Sequence, residues 1–173
     1  MEDKITTNVT KGVIISLALI VYGLVIYLTG LYTNQSLQYV QYIFLIAGIV
    51  WACTSYAKQL NGDVTFGNIF AHGFKTTAVV IVIMCIYTFV SVKILFPEMI
   101  DKIMIEARHN MQAQQGLSDD QIDKALDMTR EYFVPFAIGG IIIMFAIVGA
   151  ISSLIGAAIS KKNPLDPFSQ QPI

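Results

Sequence analysis

From Gly12 to Tyr32 the chain runs for 21 residues without a charged side chain, and it does so again from Tyr39 to Ala57 and from Val134 to Ile159. A helix needs roughly 20 such residues to cross the hydrocarbon core of a bilayer. A further apolar stretch, Thr76 to Val92, is bracketed by Lys75 and Lys93, whose ammonium groups can reach opposite interfaces along their own apolar stems. The expected fold class is therefore all-α, a polytopic membrane protein with four transmembrane helices over residues 12–32, 39–57, 72–95 and 134–159.

The first run is too long for a secretory signal core of roughly 7 to 15 residues and lacks a small-x-small cleavage site, so it is expected to be retained. The short polar link "TNQSLQ" makes the first two spans antiparallel neighbours. Ahead of the third span, "VTFGNIFAHGFK" sets Phe66, Ile69, Phe70 and Phe74 at helical spacing, an expected aromatic face in the interfacial layer.

Only 13% of the residues are charged, against roughly a quarter in soluble domains. The charges are also segregated. Pro97 to Phe133 holds eight acids and four bases, net −4, and since the whole chain is −1 the remainder is +3. No stretch is densely basic, which argues against a nucleic-acid partner. Lys4 and Lys11 precede the first span, Lys58 and Lys75 flank the second loop, and Lys161 and Lys162 follow the last span. With four spans this pattern is expected to place both termini in the cytoplasm; the four bases of the third loop leave the opposite orientation as the alternative.

The acidic segment 97–133 carries a complete helix-start signal, "GLSDDQID". Ser118 is the expected N-cap, Asp119 and Asp120 suit the positive helix start, Gln121 closes a capping box, and Ile122 staples back onto Leu117. Ile122, Ala125, Leu126, Thr129 and Phe133 then form one apolar stripe, with Asp120 and Lys124 as an i,i+4 pair. Upstream, Ile100, Ile103, Met104, Ala107 and Met111 form a second stripe after Pro97. Two helices of about 18 and 16 residues, or roughly 27 and 24 Å, are expected to pair as an extramembrane hairpin between the third and fourth spans. Residues 160–173, which hold three of the five prolines, read as a flexible tail on a single membrane domain.

Chemistry-bearing residues are sparse. Cys53 and Cys85 lie in apolar runs and read as small hydrophobes. His72 reads as a polar anchor at the start of the third span, His109 as a solvated side chain, and Lys75 as a lysine that reaches the interface. No HExxH, phosphate-binding glycine loop or GxSxG occurs, and no carboxylate falls inside a span. The sequence thus predicts no catalytic, cofactor-binding or metal-ligating residue. Small residues recur at packing spacing: Gly12, Ser16, Gly23 and Gly30; Gly48, Ala52 and Ser55; Ala146, Gly149, Ser153, Gly156 and Ala157.

The reading that follows is a non-enzymatic protein in contact with the lipid bilayer, acting through a protein partner or as a homo-oligomer. A small transporter or channel subunit is the alternative, using Thr76, Thr77, Thr88, Ser91, Ser152 and Ser153, with Gly139-Gly140 as the one weak helix break. An enzyme would need Asp63, His72 and Lys75 to converge.

Taken in order, "NGDVTFGNIFAHGFKT", "GLSDDQID", "GAISSLIGAAISKK" and "NPLDPF" resemble a bacterial family of small integral membrane proteins, domain of unknown function 4199. The resemblance implies a four-helix protein of the bacterial cytoplasmic membrane, with no assigned activity or site residues.

Overall fold

The computed structural model describes residues 7–31, 35–113 and 118–160. Among these are six α-helices and no strand: α1 (Asn8–Leu28), α2 (Gln35–Gln59), α3 (Phe66–Val90), α4 (Met99–Gln112), α5 (Asp119–Glu131) and α6 (Phe133–Ile159), with a π-helical turn, Ser91–Leu95, continuing α3. Four helices are long and apolar enough to cross a membrane: Asn8–Leu28, Tyr39–Gln59, Phe66–Leu95 and Phe133–Ile159. That is consistent with a membrane protein.

The chain divides into two compact units, residues 1–83 with 144–173, and residues 84–143. In the first, Tyr22 Oη donates to Leu37 O at 2.7 Å, Gly48 faces Ile15, and Lys11 Nζ reaches Ala52 O, so α1 and α2 run antiparallel. Thr77 against Gly149 and Gly73 against Ser153 set α3 antiparallel to α6. Helices α3 and α6 both meet α2 at Cys53, which is fully buried. A Cβ added at Gly156 would stand 2.6 Å from Cys53 Cβ, and one at Gly73 would stand 2.7 Å from Ser153 Oγ. Backbones this close require glycine.

Helix ends follow local chemistry. Thr7 caps α1 by accepting from Thr10 N at 3.2 Å. The first helix therefore begins a turn earlier than the uncharged run and contains Lys11. α2 stops where Asn61 and Gly62 turn left-handed (φ 52° and 79°), with Gly62 N bonded to Ala57 O at 2.9 Å. That geometry suits glycine and is tolerated by asparagine. The stretch ahead of the third span is one helix with it: Phe66 and Phe74 are exposed, Phe70 stacks on Phe74 with ring centres 5.9 Å apart, and Ile69 is fully buried.

In the second unit, α4 and α5 are 14 and 13 residues long, shorter than expected. Met104, Ile122 and Leu126 form a buried cluster, with Ile100, Ile103, Ala107, Met111 and Phe133 packed against it. Arg108 pairs with Asp123 and Arg130 with Asp101, so the two helices run antiparallel. The capping box is complete: Gln121 N donates to Ser118 Oγ at 3.4 Å, and Ser118 N to Gln121 Oε1 at 3.0 Å. Thr129 is exposed and bonds back to Ala125 O, outside the stripe assigned to it. The expected staple to Leu117 and the tail from residue 161 lie outside the described residues, as do Lys161 and Lys162.

Candidate functional site

Two places gather chemistry. The first is in the four-helix unit, where the N-terminal ends of α1 and α3 meet the C-terminal end of α2. Lys11 is fully buried. Its Nζ lies 3.3 Å from Ala52 O and 3.5 Å from His72 Nε2, and sits 5.9 Å from the centre of the Tyr56 ring. Tyr56 and His72 stack at 4.1 Å with 7° between their planes. An ammonium group has donors only, so its pairing with His72 requires the imidazole proton to be on Nδ1. Carbonyl, imidazole and aromatic face together surround one cation without a carboxylate among the described residues.

Sequence reading took Lys11 for a flanking charge and His72 for an anchor without partners. Their separation of 61 residues hides the pairing, and a charge just outside an apolar run looks like a boundary. Asp63 and Lys75 are exposed, as is His109. Cys53 Sγ lies 3.7 Å from Ile69 O, and both cysteines are free. Among the described residues no group of three His, Cys, Asp or Glu is placed to hold a metal ion.

The hydroxyls named for a transport path divide. Thr76, Thr77, Ser152 and Ser153 are buried, and each donates to the carbonyl four residues back: His72, Gly73, Val148 and Gly149, at 2.9, 3.1, 2.7 and 2.7 Å. Such back-bonding consumes the donor within its own helix. Ser91 Oγ, at the first residue of the π-helical turn, is buried with no partner among the described residues.

The second place is a groove of about 270 Å³ along the α4–α5 seam. Met104, Ile105 and Leu126 supply its apolar surface, and Asp101, Arg108, Asp127 and Arg130 its charged rim. Both arginines are already engaged with carboxylates of the opposite helix.

Compared with known families, residues 10–162 match the model described as a protein of unknown function, DUF4199. The chain belongs to the DUF4199 family. The match runs from the start of α1 to just beyond α6, so this DUF4199 chain carries both the Lys11 cluster and the α4–α5 seam within the family region. No curated protein and no solved structure matches it.

Proposed function

We propose that this DUF4199 protein is a non-enzymatic, multi-pass protein of the bacterial cytoplasmic membrane, with both termini in the cytoplasm, that acts through protein contacts of an extramembrane hairpin formed by α4 and α5. The observation that carries the reading is the closed core of that pair. Met104, Ile122 and Leu126 are buried against one another, so the hairpin needs no lipid or partner to cover its apolar stripes. A pair that is already satisfied and still offers a grooved, charged surface is suited to reversible contact. Its net −4 charge opposes adsorption to anionic lipid.

The test is purification of the tagged protein from its own membranes in mild detergent, beside a form lacking residues 97–133. A protein retained only by the full chain is expected. Equal recovery of companions by both well-folded forms would remove the reading.

The Lys11–His72 cluster favours a second reading, a small transporter or channel subunit, because ionisable groups among membrane helices commonly line ion paths. Flux in proteoliposomes that persists in Lys11→Met and His72→Gln would remove it.

A further inference from the structure

The charges of α4 and α5 pair unevenly. Arg108 holds Asp123, Arg130 holds Asp101, and Lys102 lies 3.9 Å from Glu98. Of the bases in this segment, that leaves Lys124. Against it stand Glu106, Asp119, Asp120, Asp127 and Glu131, none with an ion-pair partner among the described residues. Of these five acids only Asp127 lines the seam groove, beside the apolar surface of Met104, Ile105 and Leu126. The two arginines on the rim are held by their own partners.

Size narrows the occupant. At about 270 Å³ the groove is below the roughly 300–1,000 Å³ of sites that enclose a drug-sized ligand. It suits one long side chain. Its chemistry, apolar along the floor with an anionic acceptor at the rim, complements a side chain with an aliphatic stem and a cationic head. Arginine is also the charged residue enriched at interface hot spots.

Resting on the contact function proposed above, we propose that the α4–α5 groove takes a lysine or arginine side chain from a basic segment of another protein, its stem on Met104, Ile105 and Leu126 and its cationic head on Asp127. The other acids of α4 and α5 without ion-pair partners among the described residues, Glu106, Asp119, Asp120 and Glu131, add negative charge that steers the approach of a basic segment.

The test places a benzophenone photocrosslinker at His109, which is exposed and one helical turn beyond Ile105, in the full chain in its own membranes. Asp127→Lys, Asp127→Asn and Asp127→Glu are compared on that background. The expected result is an adduct whose cross-linked peptide from the other protein bears lysine or arginine near the attachment point. Its yield should fall about tenfold in Asp127→Lys, the equivalent of losing roughly 1.4 kcal/mol, fall less in Asp127→Asn, and survive in Asp127→Glu. Asp127 is exposed, so these variants leave the buried cluster intact. An adduct to another protein at unchanged yield in Asp127→Lys overturns the basic anchor and leaves the contact function standing. Adducts only to lipid, or only to a second copy of this chain, also overturn the anchor. No adduct in any form counts against both.

Discussion

Helix α6 of the four-helix unit and the α4–α5 pair bury different kinds of residue. On α6, Phe145 and the small residues Gly149, Ser152, Ser153, Gly156 and Ala157 face inward, while Ile147, Ile151 and Leu154 are exposed. On α5 the inward residues are Ile122 and Leu126, and the exposed ones are Asp119, Asp120, Asp123 and Asp127. Water explains the second arrangement, since it drives large apolar side chains together and solvates the acids. The first suits lipid. Hydrocarbon tails give isoleucine no reason to hide, and association then depends on how closely backbones can approach. Sidedness is therefore largely small against large on α6, although α1, α2 and α3 also bury Ile15, Leu19, Leu45, Ile49, Ile69 and Val80, and apolar against charged on α5.

The sharpest way to break the comparison is to enlarge a small inward residue. Gly156→Leu drives a side chain into Cys53, and overpacking of this kind costs about 3 kcal/mol. Loss of the folded form in detergent thermal melts is expected. Gly139→Leu is the control, because a Cβ there meets nothing within 4 Å, and it should melt like the parent. If both substitutions are tolerated, small residues do not set the packing.

Next in size is the reverse change in the other region. Leu126 is 6% exposed, and Leu126→Ala removes apolar volume at a cost of roughly 2–3 kcal/mol. Hydrogen exchange should quicken across the amides of α4 and α5, since the buried cluster draws on both helices. Unchanged exchange in α4 would mean that the pair is not held by its core.

Lys11 is the one charged side chain buried in the first region among the described residues. Lys11→Ala leaves a void and strips His72 Nε2 of its donor, an expected loss of about 2 kcal/mol. Lys11→Met keeps the volume, and exchanging a buried charge for a well-packed apolar side chain is often close to neutral. A Lys11→Met melt as far below the parent as that of Lys11→Ala would show that the charge itself, and not the volume, holds the helices.

The smallest effect sharpens the account of how α5 begins. Ser118→Ala removes one half of the capping box and should cost about 1 kcal/mol. It would be seen as faster exchange confined to the first turn of α5. Spread of that exchange into α4 would make the cap part of the shared core.

Legibility in the sequence followed the range of each interaction. The capping box of α5 spans four adjacent residues, and Ser118 and Gln121 meet as their spacing predicts. The inward stripes of α4 and α5 were readable because water sorts residues by polarity at a helical period. Among the small residues, Gly12, Ser16, Gly149, Ser153 and Gly156 are buried, yet Gly23 has nothing within 4 Å of an added Cβ. Periodicity alone cannot say where along a span two helices come closest. The Thr129 position misled because a hydroxyl on a helix can satisfy itself on Ala125 O and remain outside.

What the sequence determined by itself is the polarity pattern of each segment and the local ends: four apolar helices of spanning length, an acidic pair of amphipathic helices, and the Ser118 cap. These depend on composition and on contacts within a few residues. Tertiary structure decided which polar groups meet. Lys11 finds His72 across 61 positions and Arg130 finds Asp101 across 29. Only the packing of distant helices makes a buried cation out of a flanking lysine, or leaves Asp127 beside a groove whose arginines are already engaged.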